Sequence, residues 1–147
     1  MKYITNSYKQ TQKLGAVLAE DILKKNTNKG AMVLGLEGDL GGGKTTFLQG
    51  FANGLGIKEK VLSPTFLIIK RFEIKNKRFK NFYHIDCYRI DSIKDIEELG
   101  LKEIFLNPSN IVAVEWSEKI KKILPKSTII IKFDFIGKNK RGVVISF

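Results

Sequence analysis

The sequence predicts a single α/β domain with a mixed, mostly parallel sheet and helices on both of its faces. Three observations support this prediction. The chain has 147 residues, a length typical of one domain. Residues 31–37 and 111–116 form two mostly apolar runs, as in strands that are buried on both faces of a sheet. A glycine-rich loop joins the first run to a helical pattern, so strands and helices alternate along the chain.

A short strand and a helix are predicted before the first apolar run. The strand is KYIT, residues 2–5. The next segment has apolar residues at the spacing of one helix face, namely Leu14, Val17, Leu18 and Ile22. Asn6 or Ser7 is expected to cap this helix, because both side chains accept hydrogen bonds from the free backbone N–H groups at a helix start.

A helix and a hairpin are predicted after the glycine-rich loop. The helix covers residues 45–57. Residues 61–74 and 79–90 are rich in β-branched and aromatic side chains, and the short basic segment KNKR separates them. Two such stretches around a short polar connection are typical of a β-hairpin.

The C-terminal half is predicted to contain two short helices and three strands. One helix is expected over residues 92–105, with Asp91 or Ser92 as its cap, and another over residues 117–124. The apolar run 111–116 lies between them, and two strands around GKNK end the chain. The sequence has no internal repeat and no evident linker, which supports one domain over residues 1–147.

The chain carries a formal net charge of +11, from 26 basic and 15 acidic residues. A charge of this size favours contact with polyanions, and RNA is the first candidate. However, 22 of the basic residues are Lys and only 4 are Arg, a usage that an AT-rich genome also produces. Both explanations stay open, so the charge alone does not establish nucleic-acid binding.

Cysteine content and hydropathy favour a cytoplasmic protein. Cys87 is the only cysteine, so the chain forms no internal disulfide and is not a disulfide-stapled secreted scaffold. Its first 25 residues contain no apolar run of signal-peptide length. No window has the roughly 18 apolar residues that a membrane span requires, so no membrane partner is expected.

The segment GDLGGGKT, residues 38–45, matches the phosphate-binding pattern G-x-x-x-x-G-K-[ST]. In this motif, backbone N–H groups surround the phosphates of a nucleotide, and the next helix directs its N-terminus at the same charge. Lys44 is expected to bridge the β- and γ-phosphates, and the Thr45 hydroxyl to hold Mg²⁺. The sequence therefore predicts a P-loop that binds a nucleoside triphosphate together with Mg²⁺.

A second Mg²⁺-binding group is expected at the end of a neighbouring strand. Glu115 directly follows the apolar residues IVAV, in the place where P-loop proteins usually have Asp. An ordinary glutamate at a strand end is the alternative interpretation. Trp116, the only tryptophan, either belongs to the core or covers the nucleotide.

Several stretches resemble the bacterial TsaE (YjeE) family, and they occur in the family's order and spacing over nearly the whole chain. They are GDLGGGKTTFLQG, SPTF (63–66), HIDCYR (84–89), ELGL (98–101) and VEW (114–116). The pattern T-x-x-L-G that begins at Thr11 also agrees. The combination of the P-loop with SPTF and H-x-D-x-Y-R is specific to this family.

The resemblance implies a P-loop NTPase fold and an ATPase whose cofactors are ATP and Mg²⁺. TsaE proteins support the synthesis of N6-threonylcarbamoyladenosine (t6A) at position 37 of tRNA. They bind TsaB and TsaD, the pair that transfers the threonylcarbamoyl group, and their ATP hydrolysis supports turnover of that complex. TsaB and TsaD are therefore the expected partners, with contact to tRNA either indirect or direct.

The resemblance also implies roles for individual residues. Lys44, Asp86 and Glu115 are the expected catalytic residues, and Thr45 and Glu115 the expected metal ligands. Asp86 would orient or activate water near the γ-phosphate, or else only fix local structure. The expected cofactor-binding residues are Thr11, Gly41, Gly42, Gly43, Lys44, Thr45, Thr46, Thr65 and Arg141. Of these, Thr65 would sense the γ-phosphate, and Thr11 and Arg141 are candidates for the adenine pocket.

Two neighbours in the H-x-D-x-Y-R stretch have open roles. His84 is expected to be a structural hydrogen-bonding residue rather than a base. Arg89 is either an arginine finger or the partner of a structural carboxylate.

Two other functions fit parts of the same sequence. A small-molecule kinase shares the P-loop and the length, but the chain has few Arg residues and no clear lid segment. A nucleotide-gated RNA-binding module would use the basic stretch 70–80, in which Phe72 and Phe79 alternate with Lys and Arg. The same alternation suits an ordinary amphipathic hairpin or a surface for a protein partner.

Overall fold

The structure is a computed structural model and describes residues 1–25, 29–39, 43–62 and 69–147. Strands and helices alternate through most of the chain. In order, they are β1 (Lys2–Thr5), α1 (Tyr8–Leu23), β2 (Met32–Glu37), α2 (Lys44–Gly54), β3 (Ile69–Glu73), β4 (Asn81–Asp86), α3 (Ile93–Glu97), α4 (Leu101–Leu106), β5 (Asn110–Glu115), a 3₁₀ helix (Ser117–Ile120), β6 (Ile129–Phe135) and β7 (Arg141–Ser146).

The strands that the structure describes form one seven-stranded sheet in the order β1-β7-β6-β2-β5-β4-β3. The four central strands, β6, β2, β5 and β4, pair in parallel. The pairs β1–β7, β6–β7 and β3–β4 are antiparallel, so only β7 and β3 run against the other strands. The predicted α/β domain with a mixed, mostly parallel sheet is confirmed, as is the hairpin of β3 and β4.

Each face of the sheet is covered by helices, because the strands present apolar side chains on both sides. On one face, α1 and α2 cover a cluster that includes Leu34, Phe82, Ala113 and Ile131. On the other face, α3, α4 and the 3₁₀ helix cover Val33, Ile85, Val112 and Val114. Along β2, β4 and β5, successive residues therefore alternate between the two clusters.

The helix α1 begins as predicted, and Ser7 is its N-cap. The Ser7 Oγ accepts a hydrogen bond from the backbone N–H of Gln10 at 3.1 Å. The Gln10 side chain in turn accepts from the backbone N–H of Asn6 at 2.7 Å. This reciprocal pair fixes the start of α1 directly after β1.

Two glycines let α2 pack directly against α1. A Cβ atom on Gly15 of α1 would lie 2.2 Å from the Phe47 carbonyl oxygen, and one on Gly50 of α2 would lie 1.8 Å from the Gln12 carbonyl oxygen. Neither atom could be accommodated, because both contacts are with backbone. This close packing fixes the position of α2, whose N-terminus follows the P-loop.

Two of the predicted helices differ from the structure. The single helix predicted over residues 92–105 is wrong: α3 and α4 are separate, because Gly100 has a left-handed φ of 67° that interrupts the helix. Of the two predicted candidates, Ser92 is the N-cap residue of α3, but its side chain makes no capping hydrogen bond. The helix predicted over residues 117–124 is only a 3₁₀ turn, Ser117–Ile120. In the described part of the chain, no helix has the length and apolar content needed to cross a bilayer.

Candidate nucleotide-binding site

The P-loop connects β2 to α2, and both fixed glycines that the structure describes have conformations that favour glycine. Gly38 has a φ of 138°, and a Cβ atom there would lie 2.5 Å from the Phe133 carbonyl oxygen of β6. Gly43 has a φ of 100° and precedes the first residue of α2. Gly41 and Gly42 lie outside the described residues, and so does Thr65.

The N-terminus of α2 provides the positive end of the site. Lys44, Thr45 and Thr46 are the first three residues of this 11-residue helix. Backbone N–H groups in a first helical turn have no partner within the helix, and the helix dipole adds positive potential at the same end. Such an end suits a phosphate group.

The Lys44 ammonium lies beside the first residues of the P-loop. It donates hydrogen bonds to the carbonyl oxygens of Gly38 and of Asp39, the latter at 3.2 Å, and lies 4.2 Å from the centre of the Trp116 ring. Burial lowers the Lys44 pKa, while Glu115 and other nearby carboxylates act against this shift. Trp116 is half-buried and packs against the second core cluster, and one side of its ring lies against the P-loop lysine. It is therefore both part of the packed domain and a neighbour of the candidate site.

The Glu115 carboxylate connects the sheet to the P-loop. Its Oε1 accepts a hydrogen bond from the Thr45 hydroxyl at 3.3 Å. Its Oε2 lies 2.6 Å from the Nε2 of His84. Glu115 and His84 are both buried, at 3% and 1% exposed. Thr45 and Glu115 therefore place two hard oxygen donors next to each other, the kind of ligand that Mg²⁺ requires.

The strand register explains why these side chains meet. In the parallel pair β4–β5, His84 lies opposite Ala113 and Asp86 lies opposite Glu115. Because side chains alternate along a strand, His84, Asp86 and Glu115 all project from the face that α2 covers. The carboxyl ends of β4 and β5 and the start of α2 thus converge.

Asp86 is half-buried at the carboxyl end of β4. Its Oδ1 accepts a hydrogen bond from the backbone N–H of Tyr88 at 2.9 Å. Burial raises the Asp86 pKa, the Tyr88 hydrogen bond lowers it, and the charge of Glu115 raises it further. A partly desolvated carboxylate with a raised pKa beside a phosphate-binding loop is a suitable proton acceptor for water.

The geometry agrees with the comparisons to known proteins. The model of the family described as threonylcarbamoyl adenosine biosynthesis protein TsaE matches residues 5–143. The chain belongs to the TsaE family. The TsaE of Haemophilus influenzae is 37% identical over 134 residues, which are 91% of this chain and 81% of that protein. The TsaE of Bacillus subtilis is 43% identical over 114 residues, 78% of this chain and 68% of that protein.

A solved structure shares the fold. The crystal structure of Bacillus subtilis YdiB superposes with a TM-score of 0.76 and 32% sequence identity. The match covers 99% of this chain and 83% of the YdiB chain. The TsaE-family assignment and the P-loop fold predicted from the sequence are thus both confirmed.

Thr11 and Arg141 lie on the α1 side of the P-loop. A Cβ atom on Gly43 would lie 3.7 Å from Thr11 Cγ2 and 3.4 Å from Arg141 Cγ. The Thr11 hydroxyl is 2.7 Å from that of Thr5. The Arg141 guanidinium donates to the carbonyl oxygens of Gly137 and Lys140. Both residues border the loop, and their contact with adenine stays a prediction.

Other contacts of the site were not predicted from the sequence. The His84 side chain is buried and hydrogen-bonded, but its partner Glu115 follows only from the pairing of β4 with β5. That His84 is not a base stays a prediction. The stacking of Lys44 on Trp116 had no sequence signal either. Arg89 is exposed and forms no ion pair with the residues that the structure describes, which disagrees with a structural carboxylate partner.

Cys87 follows the site and is expected to be inert in the folded protein. It is fully buried, and burial, together with the nearby Asp86 charge, raises the pKa of its thiol to about 12 from 9.0. At pH 8 its thiolate fraction should be about 10³-fold below that of a free cysteine. Iodoacetamide should therefore label the native protein at least about 10³-fold more slowly than the protein in guanidinium. Equal rates would contradict this burial.

The same thiol predicts a loss of stability at alkaline pH. Its pKa is raised in the folded state, so its contribution to stability is fully present below the unfolded pKa of about 9.0 and is lost as the pH rises towards about 12. The free energy of unfolding should decrease with pH from about pH 9 upward, and less so in Cys87→Ala. Urea titrations of the two proteins at pH 8 and pH 10 measure the difference. Parallel decreases would contradict the shifted thiol.

Proposed function

We propose that this protein is a Mg²⁺-dependent ATPase that binds the TsaB–TsaD pair and hydrolyses ATP to support its turnover in t6A synthesis. One observation carries the ATPase part: the Thr45 hydroxyl at the start of α2 lies 3.3 Å from the Glu115 carboxylate at the end of β5. The family assignment supports the tRNA-modification part. The cytoplasm, where tRNA is modified, is the proposed location.

Each part of the site has a role in this proposal. The first turn of α2 and the Lys44 ammonium bind the phosphates and stabilise the charge that develops on them. Thr45 and Glu115 hold Mg²⁺, which neutralises phosphate charge and polarises the phosphoryl group when bound. Asp86 accepts a proton from the attacking water or orients it.

Hydrolysis by the isolated protein is expected to be slow. P-loop NTPases often gain several orders of magnitude in rate when a partner supplies a missing arginine or orders the water. Arg89 is exposed, and Arg141 donates to carbonyl oxygens in the β6–β7 turn. We therefore expect a partner to complete the site.

The proposal is tested by ATP turnover with and without the cognate TsaB–TsaD pair, with Lys44→Ala as the blank. We expect the partners to raise kcat at least about 10-fold, in line with partner-completed NTPases, and to produce several t6A-modified tRNAs per complex. Phosphorylation of an added metabolite would instead indicate a kinase. If turnover does not change when TsaB–TsaD is added, the protein would still have an ATP site, but the proposed role in t6A synthesis would be overturned.

A further inference from the structure

We propose that His84 is a positioning residue for the metal-binding carboxylate: its hydrogen bond occupies Glu115 Oε2 and leaves Oε1, beside the Thr45 hydroxyl, for Mg²⁺. The inference rests on the proposed function, because it concerns the metal of the same site. It goes further by giving His84 an effect on metal affinity.

The two carboxylate oxygens of Glu115 have different surroundings. Oε2 is 2.6 Å from His84 Nε2, within a buried pair. Oε1 is 3.3 Å from the Thr45 hydroxyl, which is only partly buried. The carboxylate therefore has an anchored oxygen towards the sheet and a second oxygen towards the P-loop. Rotation of the carboxylate would exchange these roles, and the short contact to His84 opposes it.

The backbone of His84 is fixed on both sides. It pairs with Lys70 of β3 and with Ala113 of β5, in the interior of the sheet. Its side chain is 1% exposed, so water does not compete for the bond to Glu115. A hydrogen-bond donor on rigid, buried backbone orients its acceptor well. Mutation of a residue that hydrogen-bonds to a metal ligand typically changes metal affinity by about 10- to 100-fold.

Two substitutions of nearly equal size separate orientation from simple packing. In His84→Gln, the side-chain amide nitrogen is as many bonds from Cα as Nε2 of histidine, so it can donate to Oε2. In His84→Met, the side chain has a similar length but no donor. Asn110→Ala is the control. Asn110 is also buried and hydrogen-bonded, because its side chain donates to the Ile104 carbonyl and accepts from the Asn81 amide. It lies at the start of β5, at the opposite end of that strand from Glu115.

The readout is nucleotide binding, without TsaB–TsaD and without hydrolysis. Trp116 is the only tryptophan and stacks on Lys44, so its fluorescence reports on a phosphate at the loop. The Kd of a non-hydrolysable ATP analogue is measured in EDTA and in Mg²⁺, and the ratio of the two values gives the Mg²⁺ enhancement. Thermal unfolding checks that each variant is folded at the assay temperature.

We expect His84→Met to reduce the Mg²⁺ enhancement by about 10-fold or more, with the Kd in EDTA unchanged. His84→Gln should restore most of it, and Asn110→Ala should lower Tm only. If His84→Met keeps the wild-type enhancement, or if His84→Gln loses as much as His84→Met, the positioning role is overturned while the proposed function stands. If the wild-type protein has no Mg²⁺ enhancement, the metal site of the proposed function fails, and this inference fails with it.

Discussion

Replacing Lys44 with methionine is expected to lower ATP turnover in the TsaB–TsaD complex by about 10²- to 10³-fold, the usual effect of removing one donor to transition-state charge. The Lys44 ammonium is the only side-chain cation that the structure places at the carbonyl groups of Gly38 and Asp39, within the described part of the P-loop. Methionine keeps most of the aliphatic volume and can still pack on Trp116. Turnover with the complex measures the loss.

The Lys44→Met protein should remain folded, with a Tm within about 4 °C of wild type. Two contributions oppose each other. Burial lowers the Lys44 pKa, so the charged lysine costs stability at neutral pH, and its removal recovers that cost. The carbonyl groups of Gly38 and Asp39 meanwhile lose a donor. Isothermal titration with ATP should give weaker binding, which separates a lost phosphate contact from a lost fold.

Lys132→Met is the matched control. Lys132 is a lysine of β6 whose side chain is 63% exposed, and its only ion pair among the described residues is the 4.0 Å contact with Glu37. An exposed pair of this kind contributes little. Turnover and ATP affinity should be unchanged in this variant. Wild-type turnover in Lys44→Met would remove the P-loop from the proposed mechanism.

Local patterns in the sequence were sufficient for most of the fold and for the P-loop. The apolar runs predicted β2 and β5, because strands buried on both faces need no polar alternation. The glycine spacing predicted the P-loop, and the structure shows that Gly38 and Gly43 lie at positions where a side chain would be strained. The break between α3 and α4 was missed, because Gly100 follows a continuous helical pattern and only its positive φ interrupts the helix.

Contacts between distant segments could not be predicted in the same way. His84 and Glu115 are separated by 31 positions, and they meet only because β4 pairs with β5 in parallel at one particular register. A shift of one residue would direct Glu115 to the opposite face of the sheet. The apolar run before Glu115 predicted its role in Mg²⁺ binding, and the resemblance to the TsaE family supplied the role of Asp86. Only the register of β4 and β5 shows that the two residues are close.

Asp86→Asn is expected to combine a large loss of activity with a gain in stability. Removal of a general base typically lowers kcat by about 10²- to 10⁴-fold. Asparagine keeps an oxygen that can accept the hydrogen bond from the Tyr88 N–H, so the backbone after β4 should be retained. ATP affinity should change little, because the role assigned to Asp86 is with water and not with the phosphates. Single-turnover hydrolysis in the TsaB–TsaD complex measures the rate.

The stability gain follows from the sign of the Asp86 pKa shift. Burial raises this pKa, so the carboxyl group favours folding below its unfolded pKa of 3.8, and that contribution is lost as the pH rises through the folded value. At neutral pH the ionised group is partly desolvated and lies near Glu115, and the neutral amide removes both costs. We expect Asp86→Asn to raise Tm by about 1–3 °C at pH 7.5.

The difference in Tm between the two proteins should shrink as the pH falls below the raised pKa. Wild-type Asp86 is then protonated, and the folded protein no longer contains the desolvated charge that lowers its stability. Asp91→Asn is the control, since Asp91 is an exposed carboxylate five residues downstream and should change neither kcat nor Tm. A slow variant with a lower Tm would mean that Asp86 stabilises the fold, which is the structural alternative for this residue. A variant with wild-type kcat would remove Asp86 from the catalytic step.

A higher Tm together with a lower kcat is the combination expected of a partly desolvated catalytic carboxylate. The desolvation that makes the carboxylate a better base also lowers the stability of the folded protein.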